Sequence, residues 1–175
     1  GSMVHFLPDA SYFDSNKISL IKLKHVLRAK AVLCPGLKIS LSVEQTDEAW
    51  EWYYQNGLEE YLLDRVGNVE FYPVEPFMGN MSADHEAVEW GIVWTTEFLP
   101  ENITESYVNL VPTAQGGTHV NGLRAGLTEA MREFCEIRNL LPRGVKITPE
   151  DVWELCHYVL SVKLEDPQFS GQTKE

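Results

Sequence analysis

SYVNLVPTAQGGTHVNGLRAGLTEAMREFCEIRNLLPR, residues 106–143, is the stretch that decides the fold. It predicts a buried strand, a glycine turn and the longest helix of the chain, in that order. The strand covers residues 107–111, which favour β structure, and ends at Pro112. The turn follows at Gln115-Gly116-Gly117, because glycine adopts positive φ angles without steric cost. Apolar residues then recur at helical spacing and form one stripe: Val120, Leu123, Leu127, Met131 and Phe134.

Two details of this helix are further expectations. Thr118 is predicted to cap the first turn by accepting a backbone N–H. Gly122 and Gly126 lie inside the helix, where each costs about 1 kcal/mol relative to alanine, so we expect another backbone to pack close to them. The stretch lacks the lysine of a P-loop and the GxGxxG spacing, and a phosphate cradle is therefore not predicted here.

Length and charge restrict the possible classes of protein. A chain of 175 residues predicts one domain. The net charge of −12 argues against a free-standing nucleic-acid-binding domain, so any contact with nucleic acid must be local. The three cysteines are widely spaced, form no CxxC pair and fit a reducing cytoplasm: Cys34, Cys135 and Cys156. No apolar run reaches transmembrane length, and no membrane partner is predicted.

Hydrophobic periodicity predicts the remaining elements. Alternating residues indicate a hairpin of strands 37–43 and 50–54, and a strand over residues 88–95 that pairs with residues 107–111. A proline-punctuated edge strand is expected at residues 71–77, because proline cannot donate to the ladder. The other predicted elements are strands 4–7 and 160–164, a helix that starts at residues 14–16, a helix over 57–66, and a helix that begins at Thr148-Pro149 and carries Val152, Cys156 and Val159 inward.

Two surface features each permit two interpretations. Lys17, Lys24 and Arg28 line up on one predicted helix as either a solvated basic edge or a patch that faces phosphates. The aromatic residues around Trp50 suggest cross-strand packing or base stacking. We favour packing, because Glu48 and Glu51 would repel phosphates.

The residues alone predict no complete catalytic site and no metal site. The histidines are scattered and form neither HExxH nor a pair with cysteines: His5, His25, His85, His119 and His157. His119, beside the glycines, is a candidate for chemistry, and its alternative is a hydrogen-bonded residue at the start of the helix. Lys174, within the GQTK of residues 171–174, is a compact charge suited to a terminal phosphate, although a solvated lysine is the alternative.

Four stretches together resemble the topoisomerase IV ParE branch of the gyrase B family. They appear in the family's order: HVLRAKAVLCPG at 25–36, TESYVNLVPTAQGGTHVNGLR at 104–124, MREFCEIRNLLPRGVKIT at 131–148 and VLSVKLEDPQFSGQTKE at 159–175. The last resembles the specific signature VSVK…DPxFxGQTK of type II topoisomerase ATPase regions.

The resemblance implies a fold and a domain assignment. Residues 4–175 would be the transducer domain, and residues 1–3 an expression scar or linker. The implied fold class is α/β, as an α+β sandwich of the ribosomal protein S five domain 2-like type, with a left-handed βαβ crossover.

The resemblance also implies a function. The domain would couple ATP binding and hydrolysis, in an N-terminal ATPase domain not contained in this chain, to closure of a DNA gate and strand passage. Gln172 and Lys174 match the loop that contacts the terminal phosphate of ATP, with Lys174 in the catalytic role. Arg124 matches the arginine that faces the DNA cavity, although a structural salt bridge is its alternative. ATP and magnesium would belong to the full-length protein, with neither bound to this chain alone.

The implied partners are a weakly held DNA duplex, the protein's own ATPase domain, a second ParE copy, and ParC in a heterotetramer. Two alternatives remain: the same domain of the gyrase GyrB protein, and a partner-docking α/β module without an ATP link. The two stretches QGGTHVNGLR and RNLLPRGVK favour topoisomerase IV over gyrase. The isolated chain is expected to be monomeric and without ATPase activity.

Overall fold

The computed structural model describes residues 1–15, 17–44 and 46–170. A two-stranded hairpin, β1-β2, stands apart from a five-stranded sheet with the order β3-β4-β7-β5-β6. The elements are α1 (Leu20–Leu33), β1 (Ile39–Val43), β2 (Glu48–Trp52), α2 (Leu58–Val66), β3 (Phe71–Ala83), β4 (Glu86–Thr95), β5 (Thr104–Val108), β6 (Val111–Pro112), α3 (Thr118–Ile137), α4 (Pro149–Trp153) and β7 (Cys156–Leu164).

Strand β7 is the centre of the sheet. It pairs antiparallel with β4 on one edge and parallel with β5 on the other. The predicted pairing of residues 88–95 with residues 107–111 is therefore wrong, because β7 lies between them. The predicted helix through Val159 is also wrong: α4 ends at Trp153, and the strand starts at Cys156. Residues buried on both faces give an unbroken apolar run, which hides the two-residue period of a strand.

Helices cover both faces of the sheet. Helices α1 and α2 pack on one face, around Val93, Tyr107 and Val159. Helices α3 and α4 pack on the other face, around Ile92 and Leu160. The predicted α+β class is confirmed, and the mixed sheet agrees with it. The left-handed crossover stays a prediction.

The strand predicted at 107–111 is divided in two. Strand β5 ends at Val108, and the chain turns through Asn109 and Leu110, which have φ angles of 46° and 65°. Both values lie in the left-handed region, which only a few residue types enter readily. Asn109 is held there because its side chain bonds both backbone groups of Leu164, at 2.8 and 2.9 Å.

Several local predictions are confirmed. The hairpin forms, and β3 is an edge strand, although it runs on to Ala83. Helix α2 turns its predicted residues inward: Leu58, Tyr61, Leu62 and Val66. Helix α4 begins with a capping box, in which Thr148 and Asp151 bond each other's backbone N–H groups.

Other local predictions are wrong. Residues 4–7 form no strand, and α1 begins at Leu20, after a cap by Ser19 rather than at residues 14–16. Gly117, not Thr118, is the N-cap of α3. A β-carbon built on Gly122 or Gly126 would meet open space, so no backbone of residues 1–15, 17–44 or 46–170 packs against them. The apolar stripe of α3 is covered only at its start, and Phe134 is 52% exposed.

A close contact of a backbone with a side chain does occur at Gly79 of β3. A β-carbon there would lie 2.1 Å from Cζ2 of Trp90, so the indole ring rests directly on the glycine.

Because Trp90 would have to move, we expect Gly79→Ala to lower the free energy of unfolding by about 1–3 kcal/mol. Gly122→Ala is the matched control and should raise it by up to about 1 kcal/mol. Urea denaturation measures both, and equal effects of the two substitutions would contradict the assignment.

His157 is buried in β7 and is held in one neutral form. The Ile103 N–H donates to its Nδ1 at 3.2 Å, and its Nε2 lies 3.0 Å from the Thr95 hydroxyl. That hydroxyl donates to the carbonyl of Glu97 at 2.7 Å, so Nε2–H must be the donor to Thr95. Burial lowers the pKa of His157, because the charged ring would lose its hydration.

This lowered pKa predicts a direction for stability against pH. The unfolded histidine gains a proton below about pH 6.5, whereas the folded one resists it. The contribution to stability is therefore complete above about pH 6.5 and is lost as the pH falls below that value. An NMR titration of the ring C–H groups should give a midpoint for His157 below about 6.5 in the folded chain. A midpoint at or above that value would be inconsistent with the neutral ring described here.

Candidate functional site

The predicted phosphate contacts, Gln172 and Lys174, lie outside the described residues. The chain that leads to them is described and is firmly attached to the sheet. Asn109 donates from its own backbone N–H to the Val162 carbonyl at 2.9 Å, in addition to its two side-chain bonds to Leu164. Phe169 packs against the core cluster that contains Ile92 and Leu160. The chain before residues 171–175 thus contacts the rest of the fold at the end of β7 and again at Phe169.

Arg124 is exposed on α3, and its partner is an aromatic ring. Its guanidinium carbon lies 5.2 Å from the ring centre of Trp153, within the range of a cation–π interaction. Among the residues that the structure describes, Arg124 forms no ion pair, so the salt-bridge alternative is not supported. The orientation of the guanidinium thus depends on the position of Trp153.

Trp153 is itself held by two contacts. Its indole N–H donates to the Thr128 hydroxyl at 3.1 Å, and Thr128 donates to the carbonyl of Arg124 at 2.7 Å. Its ring stands edge-on to Tyr158 of β7, with centres 5.8 Å apart and planes at 88°. These contacts connect α3, α4 and the sheet at the exposed cation.

A polar cleft of about 350 Å³ lies between the glycine turn and Trp153. The Ser106 hydroxyl lies 2.7 Å from the Thr113 hydroxyl, which lies 3.0 Å from Nε2 of His119. Thr113 also donates to the Ser106 carbonyl at 3.0 Å. His119 is therefore a hydrogen-bonded residue in the first turn of the helix, and burial lowers its pKa.

The polar groups of this cleft are engaged in hydrogen bonds with one another and are not arranged for nucleophilic attack. Ser106 is only 5% exposed, and its hydroxyl is engaged with Thr113. In the described part of the chain, no carboxylate contacts His119, so the acid that orients the base of a hydrolytic triad is missing. Nor do three or more His, Cys, Asp or Glu side chains in residues 1–15, 17–44 and 46–170 group in a way that could hold a metal ion.

A second polar cluster joins α2 to the opposite face of β5. Glu105 accepts from the hydroxyls of Tyr61 at 2.6 Å and Tyr107 at 2.5 Å, and from Arg65 at 3.4 Å. Burial, together with the negative charge of Glu105, raises the pKa of both tyrosines. Arg65 also pairs with Glu101 at 3.0 Å. Nothing in the local sequence indicates this cluster, because its members come from two separate elements.

The predicted basic row is divided by the structure, and Lys17 is not part of it because α1 begins only at Leu20. Arg28 donates to the Tyr54 hydroxyl at 2.8 Å and also binds the carboxylate of Asp64, so it acts within the chain. Lys24 lies with its amine 4.4 Å from the ring centre of Trp50. The aromatic residue thus packs against a cation of its own chain.

Comparison with known proteins identifies the family. Residues 57–175 match the DNA gyrase B family. The chain belongs to this family. It is 60% identical, over 175 residues, to the B subunit of DNA topoisomerase 4 from Pseudomonas aeruginosa, and the match covers 100% of this chain but 28% of that relative. The predicted resemblance to the ParE protein of topoisomerase IV is confirmed.

Two solved structures of the gyrase B family share the fold. The topoisomerase IV ATP-binding domain of Francisella tularensis, in complex with a small-molecule inhibitor, is 40% identical, with a TM-score of 0.76 over 96% of this chain and 44% of that one. The 43K ATPase domain of Thermus thermophilus gyrase B, in complex with an aminocoumarin, is 25% identical, with a TM-score of 0.76 over 94% of this chain and 44% of that one. The chain is thus similar to one part of a ParE or gyrase B protein.

In this gyrase B family domain, we expect Thr113 to be the key residue of the polar cleft. Thr113→Val keeps the shape but removes the hydroxyl, which leaves Ser106 and His119 without their partner. The free energy of unfolding should fall by about 1–3 kcal/mol. Thr118→Val is the control at an exposed threonine without a capping bond, and it should change stability by less than about 0.5 kcal/mol. Thermal denaturation compares the two variants, and a neutral Thr113→Val would show that the cluster is not essential.

Proposed function

We propose that residues 4–175 form the transducer domain of a topoisomerase IV ParE protein. In this role the domain couples ATP binding and hydrolysis in the rest of ParE to closure of a DNA gate and strand passage. The observation that carries the proposal is the 60% identity to a topoisomerase 4 relative along the entire chain. Alignment with a solved topoisomerase IV ATP-binding domain supports it.

The gyrase alternative has less support. Identity to the Thermus thermophilus gyrase B domain is 25%, against 40% for the Francisella tularensis topoisomerase IV domain, at equal TM-scores of 0.76. The fold therefore fits both enzymes, whereas the sequence favours topoisomerase IV.

In the proposed mechanism, Gln172 and Lys174 contact the terminal phosphate of ATP. A lysine amine is a compact charge, so it stabilises negative charge on the phosphoryl group as it transfers. ATP and magnesium would be held by the rest of ParE, and the magnesium would neutralise charge on the phosphates. The described residues of this chain offer no metal-binding group, so no step is assigned to a metal bound here.

The structure supports a route from this contact to the body of the domain. Residues 171–175 follow β7, which is hydrogen-bonded to neighbours on both edges. A displacement of the end of β7 would also displace Asn109 and the neighbouring strands, because a strand that is hydrogen-bonded on both edges cannot shift alone. This favours movement of the domain as a rigid body.

Arg124 is proposed to face the transported DNA duplex. It is exposed, it is free of ion pairs among the described residues, and its orientation is set by Trp153. A single cation would hold DNA weakly, and a duplex that must pass through a cavity needs weak contacts. The further proposed partners are a second copy of ParE and the ParC protein, and the proposed location is the cytoplasm.

The decisive experiment compares Lys174→Ala with the unaltered full-length ParE. We expect ATP turnover to fall by roughly 100-fold or more, because one charged contact to the reacting group is lost, while nucleotide binding persists. Lys163→Ala, at an exposed position of β7, is the matched control and should leave turnover unchanged. Steady-state hydrolysis and nucleotide-triggered dimerisation measure the effect. Normal turnover in Lys174→Ala would favour a docking or spacer module instead.

A further inference from the structure

The two proposed contacts of this domain are connected through a single strand, β7. Gln172 and Lys174 follow its C-terminal end in the sequence. Trp153, against which Arg124 rests, comes just before its first residue, Cys156. A strand of nine residues spans roughly 30 Å. Strand β7 therefore joins the region of the phosphate contact to the residue that holds Arg124.

Trp153 is attached to this strand and to α3 at the same time. Its ring stands edge-on to Tyr158 of β7, and its indole N–H donates to Thr128 of α3. Helix α4, which ends at Trp153, lies close to both α3 and β7. Burial raises the pKa of the Cys156 thiol, and the positive charge of Arg124 opposes that rise, so the guanidinium lies near the start of β7.

The contact with Trp153 restrains a side chain that has many rotamers of its own. Arg124 is exposed, and within residues 1–15, 17–44 and 46–170 no hydrogen bond or ion pair holds its guanidinium elsewhere. The apolar side chains of α3 also pack on the sheet, but apolar contacts have no preferred direction and do not orient a charged group. The position of the guanidinium relative to β7 therefore depends on Trp153.

A fixed cation can report a movement that a freely rotating cation cannot. A ligand shifts an equilibrium between two states only if it binds one of them better. An arginine that rotates freely reaches a phosphate equally well before and after the strand moves. An arginine that is fixed to β7 moves with the strand, so its affinity for a duplex differs between the two positions. Coupling between DNA and the strand therefore requires the restraint that Trp153 provides.

We propose that Trp153 is a positioning residue that couples the duplex contact of Arg124 to the nucleotide contact at the end of β7. The inference rests on the proposed function, because it takes Arg124 as the DNA contact and Lys174 as the phosphate contact. It goes beyond that function by naming the residue that connects the two. Since coupling between two ligands is reciprocal, DNA held by Arg124 should also favour nucleotide binding.

Full-length ParE provides the test, because both contacts are present in it. The coupling factor is the ratio of the Kd values of a linear DNA duplex without and with a non-hydrolysable ATP analogue, measured by fluorescence anisotropy. We expect a factor of about five or more in the unaltered protein. Trp153→Leu should bring the factor to about one, because the guanidinium then no longer moves with β7.

Two further variants distinguish coupling from a general loss of packing. Trp153→Phe keeps an aromatic ring beside Arg124 and Tyr158, so it should retain most of the factor. Trp90→Leu removes an equally large ring from the same core cluster, but this ring contacts Phe77 instead, so the factor should be unchanged. Loss of the factor in Trp90→Leu, or an unchanged factor in Trp153→Leu, would overturn the proposal.

Thr128→Val is a milder change that does not remove an aromatic ring. Valine keeps the shape of the side chain but removes the hydroxyl that fixes the Trp153 indole, so the factor should fall about twofold or more. In an Arg124→Ala background the same substitution should not change the affinity for the duplex, since Trp153 acts through Arg124. An equal loss of affinity with and without the Arg124 side chain would demonstrate a purely structural role and refute the inference.

The outcomes separate this inference from the proposed function. A coupling factor of about one in unaltered ParE would contradict the proposed function, and the inference with it. A factor that Arg124→Ala leaves unchanged would contradict the DNA contact assigned to Arg124. A factor that depends on Arg124 but not on Trp153 would retain the proposed function and reject the inference alone.

Discussion

A strand buried on both faces must find a hydrogen-bonding partner along each edge, because water cannot reach its peptide groups. Strand β7 is such a strand, since seven of its nine residues are buried. It pairs with β4 and β5, and this separates those two strands, although they follow each other in sequence. The connection from β5 to β7 must then leave the sheet and return in parallel, so it carries the second helical layer.

Strand β5 joins the two helical layers, because neighbouring residues of a strand point to opposite faces. Glu105 and Tyr107 bond within the layer of α2, whereas Ser106 between them bonds Thr113 beside α3. Each layer is thus attached to the same strand by polar contacts as well as by packing. The carboxylate of Glu105 is partly buried and accepts from three donors, so the loss of any one of them would leave its charge less well compensated.

Local patterns in the sequence were sufficient for elements with one exposed face and clear end signals. The inward face of α2 follows from its period, and the start of α4 follows from Thr148 and Asp151. The start of β7 could not be predicted from the sequence, because a strand buried on both faces shows no alternation of apolar and polar residues. The turn at Asn109 depends on bonds to Leu164, 55 positions away, so no local pattern could reveal it. For the candidate site, the family resemblance alone pointed to Arg124 as an exposed residue, and the sequence left a salt bridge open as its alternative. Its contact with Trp153 of another helix left no signal in the sequence. The roles of Gln172 and Lys174 come from the family resemblance alone, and both lie outside the described residues.

The net charge of −12 is a poor guide to where this chain can meet a polyanion. At physiological salt the field of an exposed charge decays over about 8 Å, so acids on distant elements scarcely change the potential beside a given cation. Nearby acids matter more, and Asp64 and Glu51 are already paired with Arg28 and Lys38. These pairs are internal, whereas the guanidinium of Arg124 forms no ion pair among the described residues and therefore sets the local potential at its own surface, whatever the net charge of the chain.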